Sequence, residues 1–192
     1  MLMKGLSDKQ IYCFMDYETT GIDTTKNSWV VPIQIGVVFA DRDMDCLLEY
    51  QNLIKWDILM GRDDWTPIQQ RAAEVHKIPL KDVQKKGKWA HEIKQDLLEI
   101  IAELQAGMGT NKRPVIISDA PNFEMFFTEM IFNIRDKEFP FYYNSWSVYP
   151  LFQLFGVRAL YGRKPHDALD DAKMLLEGMR EVWKKAKDLK IL

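Results

Sequence analysis

The sequence predicts an α/β domain built on a mixed β-sheet. Short apolar, β-rich runs cluster in the first third of the chain, apolar residues at helical spacing fill the middle, and a short buried run near residue 115 leads directly into a second amphipathic helix. The order of three strands, helices, strand, helix, strand and helices suits a mixed sheet flanked by helices.

Residues 11–16 (IYCFMD) read as a buried strand, and residues 30–40 (VVPIQIGVVFA) and 46–54 (CLLEYQNLI) as a second and third. Asp41-Arg42-Asp43 reads as the hairpin turn between the last two, and Pro32 falls near a strand start, where a missing N–H is tolerated. Pro67 opens a helix running to about His76. Ala90, Ile93, Leu97, Ile101 and Leu104 share one face of a helix over residues 89–105, and 114–117 is a short buried strand. Phe123, Phe126, Phe127, Met130, Ile131 and Ile134 then mark an amphipathic helix. A fifth strand is expected around residues 139–143, a brief aromatic helix over 147–155 and a loop over 156–165. The final helix starts near Asp167 and buries Ala168, Ala172, Leu175, Met179 and Val182.

With 192 residues, 47% of them apolar, the chain suffices for one core and not for two comfortable domains, so residues 1–192 are expected to form a single domain. No apolar run approaches the ~20 residues of a membrane span. Met1 to Gln10 has no apolar segment before a small-residue cleavage site, which makes the cytoplasm the expected location. Cys13 and Cys46 form neither a disulfide framework nor a zinc spacing, and Cys13 reads as a small buried side chain. A net charge of −2 argues against a protein that grips long duplexes through many phosphates. It leaves room for a nuclease, because bound metal ions supply positive charge at the reacting phosphate.

The chemistry is concentrated at two places. In FMDYETTGID (14–23), Asp16 and Glu18 are two apart at the end of a strand, so both carboxylates project from one face. Like charges held that close repel unless cations neutralise them. A pair of exposed acids at a strand end is the plainer alternative, and Thr19-Thr20-Gly21 shifts the balance by adding a turn able to receive a phosphate or a nucleotide end. In HDALDDAKML (166–175), His166 stands five residues before Asp171, which falls in the first turn of the last helix. Asp167 can be read as an N-cap, and Asp170 and Asp171 as acids favouring the positive helix end.

Together these segments resemble the DnaQ-like DEDDh exonucleases, over roughly residues 10–185. Asp16 and Glu18 match the family's first motif, and His166 and Asp171 its third. The position four before Asp171 is Asp167, not the tyrosine of the sister variant, and AEVHKIPLKDV (73–83) is similar to the family's segment before a helix. The second motif, normally a phenylalanine and an aspartate, reads Phe123-Glu124 here. Glu124 is therefore expected as the matching metal ligand, one methylene longer than usual, with Asp119 as the rival ligand or else a helix cap.

The resemblance implies a ribonuclease H-like fold with a five-stranded mixed sheet flanked by helices. It also implies Mg²⁺ or Mn²⁺, two ions per site, held by Asp16, Glu18, Glu124 and Asp171, with His166 as general base. The implied activity is 3′→5′ hydrolysis of single-stranded DNA or RNA ends, releasing nucleoside 5′-monophosphates. Thr19, Thr20 and Ile22 are the expected contacts to the terminal nucleotide. Trp29, Trp65 and His76 are candidates for base stacking, and the lysines at 81–88 and 184–190 for phosphate tracks or merely solvated faces. The other readings are a non-catalytic relative that binds a polymerase or a nucleic-acid end, and an α/β domain whose motif matches are accidental. No membrane partner is expected, and nothing in the sequence points to a homodimer.

Overall fold

The structure is a computed structural model that describes residues 9–23, 29–133, 135, 139–158 and 167–189. Its strands are β1 (Tyr12–Thr19), β2 (Pro32–Ala40), β3 (Cys46–Lys55), β4 (Lys88–Trp89), β5 (Val115–Ser118) and β6 (Tyr142–Ser147). Its helices are α1 (Pro67–His76), α2 (Leu80–Lys86), α3 (Ala90–Met108), α4 (Pro121–Ile131), α5 (Tyr149–Phe155) and α6 (Ala168–Asp188), with one 3-10 turn at Asp57–Leu59. The sheet order is β4-β3-β2-β1-β5-β6. β2 runs antiparallel to both β1 and β3, while β5 and β6 run parallel to β1.

Alternation along β1 divides the core into two layers. Cys13, Met15 and Tyr17 face a layer closed by α3 and α4, with Ile93, Leu97, Ile101 and Phe127 at its centre. Tyr12 and Phe14 face a second layer, closed by α6 through Ala172, Leu175, Met179 and Val182. Asp16 and Glu18 continue that second face, beyond the last apolar residue. The turn between β2 and β3 is held by the Asp41 carboxylate, which accepts from the backbone N–H groups of Asp43 and Asp45 at 2.9 Å each.

Three expectations are corrected. The sheet has six strands rather than five, because two residues between α2 and α3 pair with the end of β3. So short a pairing leaves no alternation to read. The last strand begins at Tyr142, not near 139. Phe139 and Phe141 are buried against Phe132 in edge-on ring contacts and fill the end of the first layer, so their apolarity reflects packing and not ladder pairing. Asp119 does not cap α4: that helix begins at Ala120 and Pro121 with no side-chain cap. The proposed helical position Ile134 and most of the expected 156–165 loop lie outside the described residues.

Candidate active site

The parallel register pairs Phe14 with Ile117, so β5 ends at Ser118, level with Met15, while β1 runs on to Thr19. Asp16 follows Phe14 by two residues and Asp119 follows Ile117 by two, which brings both to the same edge of the sheet. The C-terminal ends of parallel strands are where α/β folds place ligands. Two helices then point their first turns at that edge, α4 carrying Glu124 and α6 carrying Asp171.

The resulting carboxylates form two groups that share one member. Oxygens of Asp16, Glu18 and Asp171 lie within 4.8 Å of one another, as do oxygens of Asp16, Asp119 and Glu124. The structure therefore unites all four acids expected from the motifs, and it brings in Asp119 beside Glu124 rather than in its place.

Burial and mutual repulsion act on these acids in the same direction. Burial is the main cause that raises the Asp16 carboxyl well above its usual range, followed by the charges of Glu124, Glu18, Asp171 and Asp119. Glu18 is pushed up to about 8, by burial first and then by Asp171 and Asp167. Glu124 is likewise pushed up to about 8 by burial, against a lowering hydrogen bond from Ser118. Among the described residues, Glu18 Oε1 is buried with no hydrogen-bond partner. A buried carboxylate oxygen left unmatched, in an all-oxygen donor set, is what a hard divalent cation would satisfy. The residues fit such an ion.

Glu124 is held by neighbours that the sequence did not single out. Ser118 Oγ, fully buried, donates to Glu124 Oε2 at 2.8 Å. Thr128 Oγ1 donates to the Glu124 carbonyl at 2.8 Å and lies 3.1 Å from the Tyr17 hydroxyl. The first turn of α6 is held by Gln34 and Gln51, which reach Asp167 from β2 and β3. No local signal marks Gln34 and Gln51, since they meet Asp167 only through the packing of α6 on remote strands.

The other expected site residues are placed as follows. Thr19 Oγ1 donates to the Gly21 carbonyl at 2.5 Å, and Thr20 Oγ1 accepts from Val31 N–H at 3.0 Å, so both hydroxyls serve the turn itself. Ile22 is 87% exposed and joins Ala120, Pro121, Asn122 and Phe123 around a hollow of about 330 Å³. His76 is buried at the end of α1, its Nδ1 accepting from Ile78 N–H at 2.9 Å and its ring edge-on to Trp65. The structure does not bring it to the carboxylate groups. Trp29 is exposed, whereas Trp65 is tied to the Ile78 carbonyl. Lys86, Lys88, Lys185 and Lys187 each pair with a nearby acid. His166 lies outside the described residues.

A profile of the RNase T family, described as exonuclease, matches residues 13–179. The chain belongs to the RNase T exonuclease family. As an RNase T family member it has the ribonuclease H-like fold of the DnaQ-like exonucleases, and solved structures share it. Exonuclease I of Methylocaldum szegediense superposes with a TM-score of 0.66 at 15% identity, over 94% of this chain and 42% of that one. E. coli exonuclease I in complex with an oligonucleotide gives 0.66 at 18%, over 95% and 43%. Its zinc-bound form with single-stranded DNA gives 0.66 at 16%, over 95% and 42%. This RNase T family chain thus spans well under half the length of those nucleases. No curated protein matches it.

Proposed function

We propose that this exonuclease-family protein is a DEDDh 3′→5′ exonuclease that removes nucleoside 5′-monophosphates from single-stranded nucleic-acid ends, using Mg²⁺ or Mn²⁺. The observation that carries this reading is the pair of acid groups joined at Asp16. Two divalent ions, when bound, would supply Lewis acidity at a scissile phosphate. Glu18 and Asp171 would complete one site around Asp16, and Glu124 with Asp119 the other. Ser118 fixes the direction of the Glu124 carboxylate. Phosphodiester hydrolysis asks little covalent work of a protein, so the precise placement of these charges accounts for most of the catalysis.

The role of His166 rests on the third motif of the family: it takes the proton of the attacking water. The hollow between Ile22 and Phe123 receives the terminal base, and the turn at Thr19 to Gly21 offers backbone groups to the sugar and phosphate. The oligonucleotide complex of E. coli exonuclease I supports single-stranded DNA as a substrate class. The glutamate at position 124 was the reason for weighing a non-catalytic relative. That its carboxylate reaches Asp16 together with Asp119 favours the enzyme.

The test is incubation with end-labelled DNA and RNA oligomers in Mg²⁺, Mn²⁺ or EDTA. The expected outcome is stepwise shortening from the 3′ end with either cation and none with EDTA. His166→Ala should keep cation binding and lower kcat by ~10²–10⁴-fold. Digestion from the 5′ end, or full activity in EDTA, would overturn the mechanism.

A further inference from the structure

The first turn of α6 is fastened across the sheet by two glutamines, whose hydrogen bonds go to Asp167 and Ala168 and not to a carboxylate of the two acid groups. Gln51 Nε2 donates to Asp167 Oδ1 at 2.7 Å and to Oδ2 at 2.8 Å. Gln34 Nε2 donates to Asp167 Oδ2 at 3.1 Å, and Gln34 Oε1 accepts from Ala168 N–H at 3.1 Å. Asp167 Oδ1 in turn caps Leu169 and Asp170 N–H, and the Asp167 carbonyl accepts from Asp171 N–H at 2.9 Å. Three of the N–H groups that a helix start leaves open, those of Ala168, Leu169 and Asp170, are thereby satisfied, one of them by a strand.

The register shows why this matters to the acids. Gly36 pairs with Asp16 on one side and Gln51 on the other, and Gln34 pairs with Glu18. Directly paired residues share a sheet face, so Asp16, Glu18, Gln34 and Gln51 face α6 in two adjacent rows. The residue that fastens the helix directly follows His166 and stands one helical turn before Asp171. Both oxygens of the Asp167 carboxylate are taken by N–H donors.

We propose that Gln34 and Gln51 are positioning residues, which set Asp171 against Asp16 and Glu18 by holding Asp167. This rests on the reading of those acids as cation ligands. A capping aspartate alone would fix the helix start but not its place on the sheet. The amides tie that start to β2 and β3, whose register with β1 fixes where Asp16 and Glu18 stand.

The experiment measures Mn²⁺ binding by calorimetry and oligonucleotide cleavage for Gln51→Ala, Gln34→Leu, Asp167→Ser and the Gln51→Ala/Asp167→Ser pair, with thermal melts to check folding. Gln51 is exposed, so its replacement leaves the core intact. Asp167→Ser keeps a helix cap but is too short to receive both amides. Each single change should weaken Mn²⁺ binding by ~10-fold or more and lower kcat while KM for the oligonucleotide stays unchanged. The double variant should be no worse than the poorer single. Unchanged Mn²⁺ affinity in folded Gln51→Ala and Gln34→Leu, or losses that simply multiply, would overturn the proposal. A wild-type chain that binds Mn²⁺ but cleaves nothing would end the exonuclease reading alone, and Mn²⁺ binding would still decide the role of the glutamines. A wild-type chain that binds no Mn²⁺ would end both.

Discussion

At the scale of single residues, the departure at position 124 is resolved by its surroundings. The longer glutamate starts from a helix turn and is steered by a buried serine, so its carboxylate still meets Asp16. Asp119 then adds a charge from the end of β5. Glu124→Gln should therefore lose on the order of 10²–10³-fold in kcat, since it removes a charge from the centre of the site. Asp119→Asn should lose less, ~10–100-fold, with most of the loss recovered at high Mn²⁺. Steady-state rates against Mn²⁺ concentration check both. The shifted carboxyls give a further expectation with a definite sign. Glu18 and Glu124 move from their usual 4.5 to about 8 in the folded, ion-free protein. Between those values the folded state holds protons that the unfolded chain has released, so ion-free stability is full below 4.5 and falls as pH rises towards 8. A divalent cation replaces those protons. The rise in Tm on adding Mn²⁺ should thus be larger at pH 8 than at pH 5.5, and calorimetry near pH 6.5 should detect proton release.

At the scale of elements, the site depends on how closely α6 approaches β2. A Cβ built on Gly36 would lie 2.1 Å from the Ala168 carbonyl carbon and 2.2 Å from Leu169 N, both backbone atoms that cannot swing away. Gly36 is paired with Asp16, so the absent side chain admits the helix start directly over the first acid. Gly36→Ala should cost ~1–3 kcal/mol through overpacking. That corresponds to a fall in Tm of roughly 2–4 °C per kcal/mol in a chain of this size. Activity should fall by more than the folded fraction does, because the helix that moves is the one carrying Asp171. Thermal melts and rates on the same sample separate the two effects.

At the scale of the molecule, the charge balance sets how substrate is held. The chain has 26 basic and 28 acidic residues, and Lys86, Lys88, Lys185 and Lys187 already pair with neighbouring acids. Acids outnumber bases in the chain and cluster at the site, so attraction for phosphate there comes from bound ions. Oligonucleotide affinity should be low in EDTA and rise at least tenfold when Ca²⁺ is added. Its logarithm should fall with that of salt concentration at a slope of only a few units, at ~0.7 per phosphate contacted on a single strand. Fluorescence anisotropy with a labelled oligomer measures both.

The local patterns of the sequence determined most of the elements and the core of the site. Short apolar, β-rich runs in 11–16 and 30–40 marked strands, three-and-four spacing marked α3, α4 and α6, and two motifs named Asp16, Glu18 and Asp171. Those signals survive in one dimension because they depend on neighbours a few positions apart. Tertiary structure alone decided that Asp119 and Glu124 both reach Asp16, that Gly36 admits α6, and that Gln34 meets Asp167 across 133 positions. It also decided that β4 exists and that β6 begins at Tyr142. Each of these is a matter of register between distant segments. Which remote backbone lies alongside is set by the packing of the whole sheet, and that leaves no periodicity in the chain to read.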